Sequence, residues 1–258
     1  MKRTFVVLTE QRSGSNMLVT SFLDHPEVCC FGEVFRPTDK YRDGPVADYP
    51  GALRYLQDLP AAYHDDAYRF AHPGAYLRAL WRLEPGFDHY GFKLMLRQHP
   101  ELADAWIRDP AHHVVLLRRD NALARHASGV KAKLTGEGAA VSAEQIKDVR
   151  IPFDREAFLT YLERSNKQWD RVDRVVEAEG KHCLRLEYAD ILSGEAVDAV
   201  LNFLGATIGL DLQTNLIKRN TSVIVDRFED PDAVRRTLDE IGRPDWAQES
   251  PGRVSPPG

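Results

Sequence analysis

The chain alternates short apolar runs with longer segments in which apolar residues recur at helical spacing. The apolar runs predict buried strands at residues 4–9, 28–31, 90–96, 112–117 and 182–186. The helical spacing predicts helices at 17–24, 52–59, 74–83, 121–133, 158–176, 196–204 and 233–241. Strands that alternate with helices in this way predict an α/β fold with a mainly parallel central sheet flanked by helices.

The remaining segments indicate how the chain is divided. Residues 38–50 and 134–150 are rich in polar, charged and small residues, which predicts surface loops, the second able to cover a site. We find no internal repeat and no domain boundary, so residues 1–242 are predicted to form a single domain. Residues 243–258 are biased towards Pro, Gly and Ser, which predicts a flexible C-terminal tail.

Composition narrows the class of protein. With 258 residues and 43% hydrophobic content, the chain can bury a sizeable core. It shows neither a signal peptide nor an apolar run long enough to cross a bilayer, so a cytoplasmic location is expected. A net charge of −5 argues against a nucleic-acid partner. Cys29, Cys30 and Cys183 lack metal-ligand spacing, and we expect buried thiols rather than a disulfide or a zinc site.

The polar turn after the first strand is the first candidate site. Arg12, Ser13, Ser15 and Asn16 place donor side chains where backbone N–H groups and a helix start converge, an arrangement that suits a phosphate or a sulfate. It differs from the phosphate loop of nucleotide triphosphatases, because the GxxxxGK[ST] spacing is missing and no lysine follows Gly14. An ordinary strand-to-helix turn capped by Ser13 or Ser15 remains the alternative.

Two further candidates lie on neighbouring strands. Glu33 follows the second strand and is either a general base or a solvated loop carboxylate. Lys93 lies within the third strand, where an unpaired ammonium group is costly to bury, so it either reaches solvent or faces an anion.

Further residues of types that bind anions occur later in the chain. Arg119 follows the fourth strand, at the sheet edge where ligands bind in open α/β folds. Ser128 lies on the next helix, and by itself it equally suits a helix surface. Lys218 and Arg219 form a third cluster of anion-binding side chains.

Five motifs in order resemble the bacterial sulfotransferases that act on carbohydrates, a family that includes trehalose and nodulation-factor sulfotransferases. The resemblance spans residues 4–228. The motifs are the loop QRSGSNML at 11–18, GEVF at 32–35, GFK at 91–93, RRDNALARHAS at 118–128, and EYADIL at 187–192 with FLG at 203–205.

The resemblance implies a P-loop-like sulfotransferase fold and the donor 3′-phosphoadenosine 5′-phosphosulfate (PAPS). The donor's 5′-phosphosulfate would lie in the loop 12–16, although Asn16 stands where threonine or serine is more usual. Arg119 and Ser128 match the pair that clasps the 3′-phosphate, and Lys218 and Arg219 are counted as further donor ligands. A sulfuryl group carries less charge than a phosphoryl group, so no metal is expected.

The resemblance also implies catalytic roles. Lys93 matches a strand lysine of the animal enzymes, but Met95 occupies the place of their catalytic histidine. Glu33 matches the general base of the bacterial carbohydrate enzymes, with His99 a distant second. Arg12 and Lys93 would stabilise the leaving phosphate oxygen and the transferring group.

The acceptor is expected to be a small-molecule hydroxyl, on a sugar or glycolipid, by resemblance alone. Segments 36–90 and 134–153 would line its site, and their aromatics either stack on a sugar or fill the core; they include Tyr41, Tyr49, Tyr55 and Trp81. A homodimer is expected from the family only. Two alternatives stay open: a nucleotide-dependent kinase of similar build, and a non-catalytic protein that binds a nucleotide or a glycan.

Overall fold

A computed structural model describes residues 3–37, 58–135, 149–209 and 223–249. In these residues, five strands form one parallel sheet in the order β2-β3-β1-β4-β5. The strands are β1 (Arg3–Thr9), β2 (Val28–Cys30), β3 (His89–Met95), β4 (His112–Arg118) and β5 (Leu184–Glu187). The predicted α/β fold with a parallel central sheet flanked by helices is therefore confirmed.

The α-helices lie between and after the strands. They are α1 (Ser15–Thr20), α2 (Asp66–Ala71), α3 (Pro73–Leu83), α4 (Pro100–Arg108), α5 (Ala122–Thr135), α6 (Arg155–Ala178), α7 (Tyr188–Ser193), α8 (Glu195–Leu204) and α9 (Pro231–Glu240). Short 3₁₀ helices occupy Ala61–His64, Val225–Arg227 and Pro244–Ala247.

Alternate side chains along the strands point to opposite faces of the sheet, and a hydrophobic core lies on each face. On one face, Val6 and Leu8 of β1 pack with buried residues of α3, α4 and α6. On the other face, Phe5 and Val7 pack with α1 and α8. A third core joins α5, the start of α6, α9 and Trp246. The buried β1 thus lies at the centre of the sheet with its last residue, Thr9, at the edge where the loop 10–14 begins.

Several predicted elements differ from the structure. Helix α1 ends at Thr20 rather than 24, and the Ser21 hydroxyl donates to the Met17 carbonyl at 2.8 Å, competing with the helical backbone bond there. Helices α2, α4 and α7 were not predicted. The helix predicted at 52–59 falls mainly outside the described residues.

The predicted tail boundary at residue 243 is too early. Residues 244–247 form a 3₁₀ helix, and Trp246 is buried in the third core. Packed structure therefore continues to Glu249, whereas residues 250–258 lie outside the described part of the chain.

Two smaller predictions can be compared with the structure. Cys29, Cys30 and Cys183 are free thiols, as expected; Cys30 is buried, the other two are partly buried, and burial raises the pKa of Cys30 to about 12. Among the described helices, none combines the length and apolar character needed to cross a bilayer.

Candidate functional site

The parallel strands bring the predicted site segments to one edge of the sheet. Thr9 of β1 is in register with Met95 of β3 and with Leu117 of β4, so these three strands end side by side. The chain continues from those ends into the loop 10–14, the turn 96–99 and residues 119–121. In an open α/β sheet, the carboxyl edge beside the central strand is the usual place for a ligand.

Lys93 joins two of the predicted motifs. Its side chain is fully buried, and its Nζ donates to Asn16 Oδ1 at 2.6 Å. The same nitrogen lies 3.4 Å from Glu33 Oε2. Of the two outcomes expected for this lysine, the structure therefore shows the one in which it faces an anion. A cation, a carboxylate and an amide of the loop are held together at the edge of the sheet.

Gln98 fixes the other side of the Glu33 carboxylate. The Met95 N–H donates to Gln98 Oε1 at 3.1 Å, and Gln98 Nε2 donates to Glu33 Oε1 at 2.6 Å. Because a backbone N–H can only donate, the amide oxygen must face Met95 and the amide nitrogen must face Glu33. Glu33 therefore accepts from Gln98 with Oε1 and faces the Lys93 ammonium group with Oε2. Gln98 was not a predicted site residue, because nothing in the local sequence connects it with residue 33.

The loop between β1 and α1 has an uncommon backbone. Arg12 and Gly14 both have positive φ, 66° and 80°, and Gly14 is the N-cap of α1 without any side-chain cap. The alternative of an ordinary turn capped by Ser13 or Ser15 is therefore wrong. A Cβ on residue 14 would lie 2.7 Å from the Tyr188 ring, so packing as well as backbone conformation requires glycine there.

Ser13 and Ser15 of this loop are both buried. The Ser13 hydroxyl has no hydrogen-bond partner within the described residues. A buried hydroxyl in that state is costly unless a ligand or water supplies the missing hydrogen bond.

The predicted 3′-phosphate pair is connected through the loop. Arg12 Nε donates to Ser128 Oγ at 2.8 Å, and Arg119 Nη1 donates to the Arg12 carbonyl at 2.9 Å. Ser128 is only 6% exposed, so it is not a helix-surface residue. The side chain of Asn121 accepts from the Ala124 N–H at 2.9 Å and so caps the start of α5. The structure thus brings Arg12, Arg119 and Ser128 into one hydrogen-bonded chain.

Arg119 is surrounded by other groups. Both oxygens of Glu249 accept from its guanidinium, and its Cζ lies 4.1 Å from the centre of the Tyr188 ring. Burial raises the pKa of Tyr188, and the positive charge of Arg119 opposes this shift. Burial and the nearby charge of Arg119 lower the pKa of Arg227 to about 10. Neither Arg227 nor Glu249 was a predicted site residue.

A second, partly buried carboxylate, that of Glu10, anchors the start of the loop. Glu10 Oε2 accepts from Arg125 Nη1, from Ser165 Oγ at 2.7 Å and from Trp169 Nε1 at 2.7 Å. These donors belong to α5 and α6, so the residue before the loop is fixed to two helices. The sequence gives little signal for this cluster, because its members are far apart along the chain.

A cavity of about 360 Å³ lies beside Arg119 at the ends of β4 and β5. Its walls carry four guanidinium groups and two indoles, from Arg118, Arg119, Arg125, Trp169, Arg243 and Trp246. Each of these arginines has an acidic partner: Asp173 for Arg118, Glu249 for Arg119, Glu10 for Arg125 and Asp120 for Arg243. The walls are therefore polar but largely charge-compensated.

Other predicted residues are not part of this arrangement. His99 caps α4 by accepting from the Leu102 N–H, and its other ring nitrogen bonds the Phe70 carbonyl. Trp81 packs against the core, with its ring 6.0 Å from that of Tyr90. Five predicted residues lie outside the described part of the chain: Lys218, Arg219, Tyr41, Tyr49 and Tyr55.

Comparison with known proteins assigns no family to the chain. A scan against protein-family models and a search of curated proteins both found no match to the chain. Within the described residues, no group of three His, Cys, Asp or Glu side chains is arranged to hold a metal ion. The absence of a metal requirement stays a prediction.

Proposed function

We propose that this protein is a sulfotransferase that moves the sulfuryl group of PAPS to a hydroxyl of a carbohydrate or a glycosylated small molecule. The single observation that carries the proposal is the contact of Lys93 with both Asn16 and Glu33. It joins a base, a cation and the loop assigned to the donor, although the three residues come from separate parts of the sequence. Transfer of a charged group needs these three elements in one place.

Glu33 is the general base in this proposal. The acceptor hydroxyl gives its proton to Glu33 as the new O–S bond forms, and the bond between sulfur and the 5′-phosphate oxygen breaks. Gln98 and Lys93 each face one carboxylate oxygen and so fix the orientation of the carboxylate. The 15% exposure of the Glu33 side chain leaves room for an acceptor to reach it.

Lys93 supplies the positive charge beside the base. Its ammonium group is compact, carries three donors and is completely buried, so its charge acts in a region of weak solvent screening. The described contacts use one donor for Asn16 and direct another towards Glu33. In the proposed reaction, Lys93 stabilises the negative charge that develops on the leaving phosphate oxygen.

The loop 12–16 holds the donor's phosphosulfate. The buried Ser13 hydroxyl, which has no partner among the described residues, fits a phosphate or sulfate oxygen as acceptor. The positive φ values at Arg12 and Gly14 fit a loop whose backbone N–H groups turn towards an anion. The residues present are therefore compatible with the proposed donor.

Arg119 and Ser128 hold the 3′-phosphate. Arg12 connects this pair to the loop, since its Nε donates to Ser128 Oγ and its carbonyl accepts from Arg119. Arg12 is also proposed to stabilise, together with Lys93, the charge on the leaving phosphate oxygen and on the transferring group. Lys218 and Arg219 stay proposed donor ligands.

The proposal is tested by transfer of label from ³⁵S-PAPS to a panel of mono- and disaccharides and glycosides, without added metal. Labelled sulfate ester in any acceptor, lost in Glu33→Gln, would support the proposal. Absence of transfer to every acceptor, together with absence of binding of the product nucleotide, would contradict it.

A further inference from the structure

The last seven described residues, 243–249, form a segment that we name the C-terminal strap. Trp246 anchors it: its side chain is 4% exposed and belongs to the third core. Asn121 Nδ2 donates to the carbonyls of Trp246 and Gln248, at 3.1 Å and 2.8 Å. The Ile224 N–H donates to the Ala247 carbonyl at 2.8 Å. The strap is thus attached beside the start of α5.

The strap ends in a carboxylate on Arg119. Glu249 accepts with one oxygen from Arg119 Nε at 3.1 Å and with the other from Nη2. The two side chains are only 5% and 8% exposed. Arg119 Nη1 is directed to the Arg12 carbonyl, and the face of its guanidinium is covered by Tyr188. In this structure, Glu249 therefore takes the edge of Arg119 that presents two parallel N–H donors.

That edge has the geometry by which arginine binds a phosphate. Carboxylates and phosphates both accept two parallel hydrogen bonds from a guanidinium group, so one edge cannot serve both at the same time. We propose that Glu249 is an intramolecular competitor of the nucleotide's 3′-phosphate, and that the strap must leave Arg119 before the nucleotide binds fully. This inference rests on the proposed function, whose nucleotide site it regulates.

The surrounding charges agree with this exchange. Arg227 is 8% exposed; burial lowers its pKa, the charge of Arg119 lowers this pKa further, and the negative charge of Glu249 raises it. An anion is therefore favoured beside these guanidinium groups. A phosphate that replaces Glu249 would supply such a charge, and the Glu249 carboxylate would return to water.

Competition of this kind lowers the apparent affinity for the nucleotide. The measured dissociation constant equals the intrinsic one divided by the fraction of molecules in which Arg119 is accessible. The isosteric variant Glu249→Gln weakens the competitor by removing its charge, and it leaves Arg119 and the strap's anchors intact. It should bind the nucleotide more tightly than the wild type.

The experiment is calorimetric titration of the wild type, Glu249→Gln and Glu240→Gln with 3′-phosphoadenosine 5′-phosphate (PAP) and with adenosine 5′-phosphate. Glu240 is a matched control, since it pairs with Arg155 at 2.8 Å on the exposed surface. We expect Glu249→Gln to lower the Kd of PAP at least about tenfold, and that of adenosine 5′-phosphate by less than about twofold. Glu240→Gln should change neither.

A measurement on the wild type covers the case in which Glu249→Gln does not fold. PAP should speed hydrogen exchange in peptides that cover 223–225 and 244–249, because release of the strap breaks the Ile224 to Ala247 bond. Slower or unchanged exchange in the presence of bound PAP would overturn the inference.

The outcomes separate the two proposals. If the wild type binds PAP and Glu249→Gln binds it equally well or more weakly, the strap is not a competitor, and the proposed function stands. If the wild type and both variants fail to bind PAP, the proposed function is contradicted, and the inference fails with it.

Discussion

The ammonium nitrogen of Lys93 lies 3.4 Å from Oε2 of Glu33, while the same nitrogen bonds Asn16 of the first loop at 2.6 Å. A fully buried lysine is expensive unless anionic and polar groups face it. The local sequence around each residue does not require the others. Their meeting at the carboxyl edge of the sheet is what the proposed chemistry uses.

Replacement of Glu33 by glutamine should abolish most of the turnover. Glutamine keeps the size of the side chain but cannot accept a proton, so we expect a loss of about two to four decades in the rate of transfer from labelled PAPS. The Kd of PAP should change by less than about threefold, since the base does not hold the donor. Glu101→Gln, at an 84% exposed carboxylate on α4, is the control. Turnover within a few-fold of wild type would remove Glu33 as the base.

Loss of the Gln98 amide should lower the rate of transfer far more than it weakens nucleotide binding. Gln98 donates to Glu33 Oε1 at 2.6 Å and so orients the carboxylate that is proposed to take the acceptor's proton. In Gln98→Met, we expect kcat to fall at least about tenfold, while the Kd of PAP changes by less than about threefold. The matched control is Gln168→Met, at another partly buried glutamine, on α6. Equal losses of kcat in the two variants would show that Gln98 only supports the fold.

Arg119→Ala should weaken the binding of PAP much more than that of adenosine 5′-phosphate, which lacks the 3′-phosphate. Loss of a charge-assisted pair with the 3′-phosphate should weaken the binding of PAP at least about tenfold. It should weaken the binding of adenosine 5′-phosphate by less than about threefold. Arg185→Ala, at a 52% exposed arginine paired with Asp173, is the matched control. Titration calorimetry measures the dissociation constants of both nucleotides for the wild type and for each variant. Equal losses for both nucleotides would remove Arg119 from the 3′-phosphate site.

Two glycines with positive φ allow the energetic cost of backbone strain to be measured separately from the cost of a packing clash. Gly180 has φ +55°, and a Cβ added there would meet only open space, so Gly180→Ala should cost about 1 kcal/mol of unfolding free energy. Gly14 has φ +80°, and its added Cβ would meet the Tyr188 ring at 2.7 Å. Gly14→Ala should therefore cost at least about 2 kcal/mol more in urea unfolding. Equal losses of unfolding free energy in the two variants would mean that the Tyr188 ring moves aside at no measurable cost.

The strands were predictable because their signals are local. The sequence is continuously apolar at 5–8 in β1 and at 114–117 in β4, as expected for strands buried on both faces of a parallel sheet. In β3, Lys93 interrupts the apolar run. Helix α4 was missed, although Pro100 at its start and the spacing of Leu102, Ala103, Trp106 and Ile107 are helical signals.

The partners within the site were less predictable. Gln98, Glu10 and Glu249 act through contacts with distant parts of the chain, and no pattern around them specifies those contacts. The Pro/Gly/Ser bias of the last residues predicted a flexible tail, yet Trp246 packs in the third core and Asn121 bonds two carbonyls of the segment 243–249. Composition describes the average of a segment, whereas packing depends on individual side chains.

The most direct test of the proposed function is calorimetric titration of the purified protein with PAP, beside ATP, in the absence of magnesium. We expect binding of PAP and little or no binding of ATP, because the proposed site takes a 3′-phosphate and the loop after β1 lacks the lysine of a nucleotide triphosphatase loop. A preference for ATP, or no binding of either nucleotide, would contradict the proposed function.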